Sequence, residues 1–323
     1  METKRPLILL ASITLLMHTA IAQQLPQLTQ YQFNDYVFNP AVAGSRPFLE
    51  LRSAHRYQWV GIQDAPRTFT LSGASPIGEK MGVGGYLFTD IVGPTRRTGI
   101  QFSYAYHIRL TEDLKLSLAL SAGLIQFLID GSKIQFHDPG DPIMDDQLRG
   151  GLDPDAKFAF YLYHPRYWFG ATAPQLFHNK LQLLEDSDPT LGRLEGHYYV
   201  TGGYRLPLGE DWKLEPSVLV KYVAPVPVKV DLTATVRYRN TMWLGASYRT
   251  NDAYTAMIGY WHKETFQFGY SYDIITSGLR NYSTGTHEVM LAITLGRTPR
   301  VAPVAPRPGP PVRPSREADH QLG

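Results

Sequence analysis

Alternation of apolar and polar residues between positions 100 and 124 predicts a β-hairpin with one apolar face. Side chains at successive strand positions point to opposite faces, so a two-residue period marks a strand with unlike faces. Thr111, Glu112 and Asp113 separate the two halves as a polar turn. The apolar face is made of Ile100, Phe102, Tyr104, Tyr106, Ile108 and Leu110, then Leu114, Leu116, Leu118, Leu120, Ala122 and Leu124. If this face meets lipid the protein is a membrane β-barrel, and if it meets a second sheet the protein is a soluble sandwich.

The same alternation recurs along the chain and predicts fourteen strands. An even number is typical of a closed up-and-down bacterial barrel whose two ends lie on one side of the membrane. The predicted strands cover residues 48–56, 67–75, 81–89, 98–109, 114–125, 156–164, 166–173, 197–206, 212–222, 229–239, 242–249, 254–261, 265–273 and 286–296.

Alternate connections between these strands are predicted to differ in length. The longer ones are 57–66, 90–97, 126–155, 174–196, 223–228 and 274–285, with 250–253 as a short exception. Those between them are tight, as at 110–113 and 262–264. Short periplasmic turns and longer outer loops are typical of outer-membrane barrels, whereas a Greek-key sandwich does not place its long crossings at every second connection.

The faces of the predicted strands favour the barrel as well. In 229–239 an apolar row opposes a row of charged residues and threonines, and in the hairpin Lys115, Ser117, Ser121 and His107 are expected to face the lumen. Aromatic residues near strand ends suggest interfacial girdles, although ordinary cross-strand packing is an alternative. They are Tyr161, Tyr163, Tyr167, Trp168, Phe169, Tyr198, Tyr199, Trp212, Tyr222, Trp243, Tyr260, Trp261 and Tyr272.

The two ends of the chain differ in composition from the strands. Lys4 and Arg5 precede an apolar run and the small-residue site Ala20-Ile21-Ala22, which predicts a secretory signal peptide over residues 1–22. An N-terminal membrane anchor is the alternative, but the run is shorter than the ~20 residues a spanning helix needs. Residues 23–47 are expected to be a periplasmic lead-in or a plug, 48–297 the barrel, and 298–323 a Pro/Arg-rich periplasmic tail without regular structure.

Composition and motifs argue against most kinds of chemistry. The formal net charge of +2 shows no basic excess for nucleic-acid binding, and the absence of cysteine removes thiolate ligands and disulfides. No Gly-x-Ser-x-Gly element supports a hydrolase, and Gly82-Val83-Gly84-Gly85 is interpreted as close backbone packing or a bend. Aspartates between Asp130 and Asp155 could bind Ca²⁺, but a solvated acidic loop is favoured. No enzyme activity, cofactor or metal is expected.

An early stretch of the chain carries a more specific signal. It contains Gln30-Tyr31, Asn39-Pro40-Ala41-Val42-Ala43-Gly44, Gln58-Trp59-Val60-Gly61 and Ala65-Pro66-Arg67-Thr68. These blocks resemble those of the PorP/SprF family of type IX secretion system membrane proteins. Leu208 to Ser217, Gly245 to Arg249 and Phe268 to Asp273 extend the resemblance but are less specific.

The resemblance implies a non-enzymatic barrel in the cell outer membrane that serves protein export, surface anchoring or gliding. It implies as partners the lipid bilayer, periplasmic lipoprotein or peptidoglycan-linked secretion components and, for some members, one large secreted adhesin. The alternative function is a porin-like channel for small solutes. The candidate partner-binding or structural residues are Asn39, Pro40, Ala43, Gly44, Gln58, Trp59, Gly61 and Pro66.

Overall fold

The computed structural model describes residues 27–134, 148–176, 196–223 and 226–296, and these form one antiparallel sheet with short helical turns. No helix in these ranges is long and apolar enough to cross a membrane. The strands are β1 (Leu49–Val60), β2 (Arg67–Ile77), β3 (Met81–Val92), β4 (Thr95–Arg109), β5 (Lys115–Asp130), β6 (Leu148–Tyr163), β7 (Tyr167–Ala173), β8 (His197–Tyr204), β9 (Leu206–Leu208), β10 (Trp212–Val223), β11 (Val226–Tyr238), β12 (Met242–Arg249), β13 (Ala253–His262), β14 (Phe266–Ile275) and β15 (Gly285–Leu295).

The sheet closes on itself to form a barrel. Strands pair with their neighbours in chain order, and β1 pairs with β15, with Leu49 opposite Leu295. Segments β8 and β9 both pair with β10 and are two parts of one strand, interrupted at Arg205. The barrel therefore has fourteen strands, and the predicted up-and-down topology is confirmed. Each strand of the described residues thus has a neighbour on both sides, as the backbone of a membrane-spanning barrel requires.

The β4–β5 hairpin decides between the membrane barrel and the soluble sandwich. Ser117 is fully buried, whereas Leu120, three positions away on the opposite face, is 64% exposed. In β4, the strand paired with β5, Ser103 is likewise buried and its neighbour Phe102 is exposed. The polar face thus lines the interior and the apolar face is the outer surface. A soluble protein would not expose such a continuous apolar surface, so the wall faces lipid.

Connection lengths agree with the prediction at one end of the barrel and in part at the other. The tight-turn end carries connections 78–80, 110–114, 164–166, 209–211, 239–241 and 263–265, and the loop end carries the rest. The predicted loops 90–97 and 223–228 are wrong, because the strands on both sides run further and leave only residues 93–94 and 224–225 between them. Short turns identify the tight-turn end as periplasmic.

The aromatic girdles are a second correction. About half of the aromatic residues predicted to lie at the interfaces point into the lumen instead, because successive residues of a strand face opposite sides. Tyr198 is exposed while its neighbour Tyr199 is buried. The inward group is Tyr161, Tyr163, Trp168, Tyr199, Trp243 and Trp261, and the outward group is Tyr167, Phe169, Tyr198, Trp212, Tyr222, Tyr260 and Tyr272.

The hydrophobic core lies inside the barrel and is organised around residues 27–47, here called the lumen segment. It contains helix α1 (Asp35–Phe38) and a 3₁₀ turn (Pro40–Val42), and most of its side chains between Leu28 and Ala43 are buried. The predicted signal peptide, the core of the acidic loop at 135–147 and the Pro/Arg-rich tail lie outside the described residues.

Candidate functional site in the barrel lumen

The lumen segment runs from near the loop end of the barrel to the tight-turn end. Thr29 contacts Asp273, two residues before the loop end of β14, whereas the carbonyl of Ala43 contacts His107 near the tight-turn end of β4. One side of the segment meets a charged part of the wall and the other an apolar part. The segment therefore fills the lumen along much of its length.

Six charged residues on the wall, five of them buried and Lys221 partly so, form what we call the ion cluster: Arg56, Lys221, Asp231, Arg249, Asp273 and Glu288. Its three cations face three carboxylates, and Asp252, at the edge of the cluster, pairs with Arg249 at 3.2 Å as a fourth carboxylate. Arg56 and Arg249 both contact Oδ2 of Asp273, at 2.7 and 3.0 Å. Lys221 Nζ lies 2.8 Å from Asp231 Oδ2. Buried charges are tolerated when they are paired and hydrogen-bonded in this way.

The lumen segment completes the ion cluster. The backbone N–H groups of Thr29 and Gln30 donate to the two carboxylate oxygens of Glu288, at 2.6 and 2.9 Å. The Thr29 hydroxyl accepts from Arg56 at 2.6 Å and from Arg249 at 3.0 Å. Charge-assisted hydrogen bonds of this kind are about twice as strong as neutral ones. This end of the segment is therefore held by the wall through fully desolvated polar contacts.

Phe33 anchors the middle of the segment. Its ring stacks on Trp243 with centroids 4.1 Å apart, and Trp261 meets it edge-on at 5.8 Å. Trp243 is 1% exposed, and its indole lies over Gly259, where a side chain would overlap the ring. Aromatic pairs in this geometry contribute roughly 0.5–1.5 kcal/mol beyond burial of area.

Glycines in β3 admit the other side of the segment. The Tyr36 ring rests where a Cβ on Gly84 would lie, and its hydroxyl hydrogen-bonds Ser103. At Gly82 a Cβ would overlap the carbonyl of Ala43. The interpretation of this glycine run as close backbone packing is confirmed, and its partner is the lumen segment.

Asn39 and Pro40 shape the turn that follows α1. The Asn39 side chain accepts from Ala41 N at 2.9 Å and donates to the Phe160 carbonyl at 2.9 Å, so it caps the 3₁₀ turn and joins it to β6. Pro40 occupies the first helical position, where its missing N–H costs nothing. Both residues are buried.

Ala43 and Gly44 lie against the ends of β3 and β4. His107 Nε2 is 2.9 Å from the Ala43 carbonyl, which can only accept, so Nε2 carries the proton and Nδ1 accepts from Tyr163 at 3.0 Å. Gly44 has a φ of +76°, a left-handed conformation that favours glycine, and it packs against Gly82. These candidate residues thus belong to the contact between segment and wall.

The other four candidates lie at the loop end of the barrel. The N–H of Gln58 donates to the Pro66 carbonyl at 2.9 Å, and the N–H of Trp59 donates to the Thr286 hydroxyl at 3.0 Å. Trp59 and Gly61 both have positive φ, 51° and 102°, at the register shift between β1 and β15. The eight candidates therefore form two separate groups, Asn39 to Gly44 in the lumen and Gln58 to Pro66 at the first outer connection.

Sequence reasoning missed the partners of the segment. Arg56, Arg249, Asp273 and Glu288 are not among the candidate residues, although the first three lie in or beside the blocks that carry the resemblance. The run from Leu28 to Phe38, which contacts the wall, supplied only Gln30-Tyr31 to that resemblance and no candidate residue. A signal was present, because each of the four charged residues occupies an inward position of an alternating strand. A charged residue that faces the interior of a barrel indicates either a contact with another part of the chain or the lining of a channel.

Two tyrosines of the segment are poor proton donors to solvent. Burial raises the pKa of Tyr31 to about 12, opposed by its hydrogen bond to Ser217. Burial likewise raises the pKa of Tyr36 to about 12. Both hydroxyls therefore stay protonated at physiological pH and act as hydrogen-bonding groups. The described residues contain no His, Asp and Glu grouping that could hold a metal ion.

Several solved structures resemble this one in overall shape. The Ralstonia pickettii toluene transporter TbuX is 8% identical with a TM-score of 0.49, covering 79% of this chain and 91% of that one. A Pseudomonas aeruginosa FadL homologue is 12% identical with a TM-score of 0.45, covering 84% and 94%. The P. putida toluene transporter TodX is 10% identical with a TM-score of 0.43, covering 81% and 92%. Similarities at this level support no inference about function.

The sequence itself has a more specific match. No curated protein matched the chain. The family model described as type IX secretion system membrane protein PorP/SprF matches residues 20–293, which include the lumen segment and nearly the whole barrel. This family consists of secretion-system membrane proteins rather than enzymes, and the wall described above places the chain in the outer membrane. The chain belongs to the PorP/SprF family of type IX secretion system membrane proteins.

Proposed function

We propose that this protein is a closed, non-enzymatic barrel that supports export or surface anchoring of secreted adhesin-like proteins by the type IX secretion or gliding machinery. The supporting observation is the lumen segment, whose buried side chains occupy the interior on both its charged and its apolar side. Family membership supports the link to secretion. A barrel with an occupied lumen serves as a membrane anchor and docking site.

The occupied lumen argues against the porin-like alternative. At about fourteen strands the wall side chains alone need not fill the interior, so an additional element is required to close it. The lumen segment provides that element, and it is tied at both ends, to Glu288 by Thr29 and to His107 by Ala43. Opening a pore requires breaking these desolvated contacts.

We further propose that the two groups of candidate residues have different roles. The group from Asn39 to Gly44 holds the lumen segment against β3, β4 and β6, and the group from Gln58 to Pro66 shapes an outer connection that a passenger protein can contact. The partners are periplasmic lipoprotein or peptidoglycan-linked secretion components, with a large adhesin as passenger. Cleavage after Ala22 starts the mature chain at Gln23, shortly before the lumen segment.

Conductance of the purified protein in a planar bilayer tests the closed state. We expect no steady unitary currents, because the segment occupies the lumen. Steady open pores in the unmodified protein would contradict the proposal and favour the channel.

Association is tested separately by a pull-down under mild detergent from the native membrane, with Trp59→Ala as the variant and Tyr282→Ala, an exposed aromatic at another outer connection, as its control. Recovery of no secretion component or adhesin by the unmodified protein would oppose the docking role.

A further inference from the structure

A cavity of about 510 Å³ opens at the tight-turn end of the barrel, bounded on the inside by Gln32 and Phe33 of the lumen segment. Its walls come from the ends of β1, β10, β11, β13, β14 and β15 and from the adjoining turns. The side chains that line it include five cations and two carboxylates. The cations are Arg46, Arg52, Arg205, Lys213 and Arg237, and the carboxylates are Glu50 and Glu264.

Two of the arginines share Glu50. Arg46 and Arg52 each contact a Glu50 oxygen at 2.6 Å, and Arg46 also binds Asp35, which lies outside the cavity lining. Asp35 and Glu50 together balance Arg46 and Arg52, so this wall is neutral in sum and the positive excess of the cavity lies on the opposite wall.

The opposite wall repeats this arrangement. Arg205 and Arg237 share Glu215 at 3.7 and 2.8 Å, and Glu215 is itself buried behind them. Lys213 Nζ donates to Asn240 Oδ1 at 3.3 Å, and none of the described carboxylates lies within ion-pair distance of it. A carboxylate ligand would find three cationic groups on this side.

Two buried donors on the lining have no acceptor among the described residues. They are Nε of Arg237 and Nε2 of Gln267, whose side chain is 6% exposed. A buried N–H without an acceptor costs about 1–3 kcal/mol, so such donors are rare in folded proteins. Both atoms are covered by protein, so they show how strongly this wall is desolvated and are not themselves ligand contacts.

The lining is also partly aromatic. Phe33, Phe48 and Trp261 face the cavity, and the Arg237 guanidinium lies 5.2 Å from the Phe33 ring and 4.8 Å from the Trp261 ring. The volume is far larger than a single inorganic anion needs. A ligand that matches this site has several acidic groups and an apolar part.

We propose that this cavity binds an acidic peptide segment of a periplasmic partner protein, with its carboxylates on the arginines and Lys213 and an apolar side chain beside Phe33 and Trp261. The proposal rests on the proposed function only for the periplasmic orientation of the tight-turn end. The chain's own tail is a poor occupant, because residues 297–323 carry five arginines against one glutamate and one aspartate. Like charges repel the tail from this lining.

Fluorescence anisotropy of a labelled glutamate-rich peptide with one phenylalanine, titrated with the full-length protein in detergent, tests the proposal. We expect saturable binding that weakens as salt is raised, since the contacts are ionic. Lys213→Gln should weaken binding about 2–5-fold, the range for one partly exposed ion pair, and Lys213→Glu should weaken it further. Lys263→Gln removes an exposed lysine from the same end of the barrel, outside the lining, and should leave binding unchanged.

Three competitors test for other occupants. A lysine-rich counterpart of the peptide and a synthetic peptide of residues 298–323 should not displace the acidic peptide, and neither should inorganic phosphate at millimolar concentration. Displacement by phosphate would show a small-anion site, and displacement by the tail peptide would show an internal occupant. Either result, or equal losses in Lys213→Gln and Lys263→Gln, would overturn the proposal without bearing on the conductance or pull-down measurements.

Discussion

At the scale of single residues, the contact between the lumen segment and the wall depends on glycines, which have no side chain. Gly82 and Gly84 lie in β3 where larger residues would fill the space taken by Ala43 and Tyr36. Glycine weakens a strand, so its presence at two inward positions indicates close approach by another part of the chain. The sequence pattern indicated that approach without identifying the partner.

Gly82→Ala should displace the segment. The added methyl would overlap the Ala43 carbonyl, and overpacking of this kind costs about 1–3 kcal/mol. We expect the free energy of unfolding, measured by denaturant titration in lipid vesicles, to fall by that amount. Gly278→Ala is the control, since its new methyl meets nothing and its backbone is not left-handed. Equal stability of the two variants would contradict the packing described.

Glu288→Gln should loosen the loop-end part of the segment. Glu288 accepts from Thr29 and Gln30 and pairs with Arg56 at 3.3 Å, and removing one partner of a buried ion pair costs about 3–5 kcal/mol. Because the chain has no cysteine, Leu28→Cys gives a unique reporter beside Thr29. Maleimide labelling of this buried site should be slow, and faster when Glu288→Gln is added.

Two controls accompany this labelling experiment. Glu79→Gln removes an exposed carboxylate from a tight turn and should not change the labelling rate of Leu28→Cys. Glu79→Cys should label rapidly in either background, which reports on reagent quality. Slow labelling that is unchanged by Glu288→Gln would show that the carboxylate does not hold the segment.

At the scale of elements, the two-residue period of β4 and β5 determines which side chains face the lipid and which face the lumen. The apolar row of the hairpin faces outward and the small and polar row inward, as predicted. Strand ends were less predictable, because pairing across β3 and β4 continues through Arg96 and Arg97, which lie within the predicted loop 90–97. Burial and cross-strand hydrogen bonds override local preference there.

Leu120→Arg tests which medium the apolar face meets. Leu120 is exposed on the outer face of β5, and an arginine facing lipid costs up to about 2–4 kcal/mol at the bilayer midplane. The unfolding free energy in vesicles should fall within that range. Glu112→Arg, at an exposed position of the tight turn that follows β4, should change it little. A neutral effect of Leu120→Arg would contradict a lipid-facing surface.

At the scale of the whole molecule, closure of the wall and occupation of the lumen are separate properties. Strand pairing from β1 round to β15 closes the wall without help from the segment. The segment then closes the lumen. Removing residues 27–44 should therefore leave a barrel that conducts, whereas the unmodified protein should be silent in a planar bilayer.

The deletion variant needs its own test of folding before its conductance is interpreted. Far-ultraviolet circular dichroism and heat-dependent migration on gels report whether the barrel has formed. A folded deletion variant that passes no current would show that other parts of the chain close the lumen. A conducting variant with a normal spectrum supports the assignment of closure to the segment.

The sequence by itself determined the class of fold, the number of strands and the direction of the faces, because strand geometry ties these to local periodicity. It also pointed to Asn39 to Gly44 as a distinctive block. Only the tertiary structure decided where that block lies and what it touches. Thr29 and Glu288 are 259 positions apart and meet only once the barrel has closed, and no local pattern records a contact of that range. The same holds for the periplasmic cavity, which is assembled from the ends of many strands.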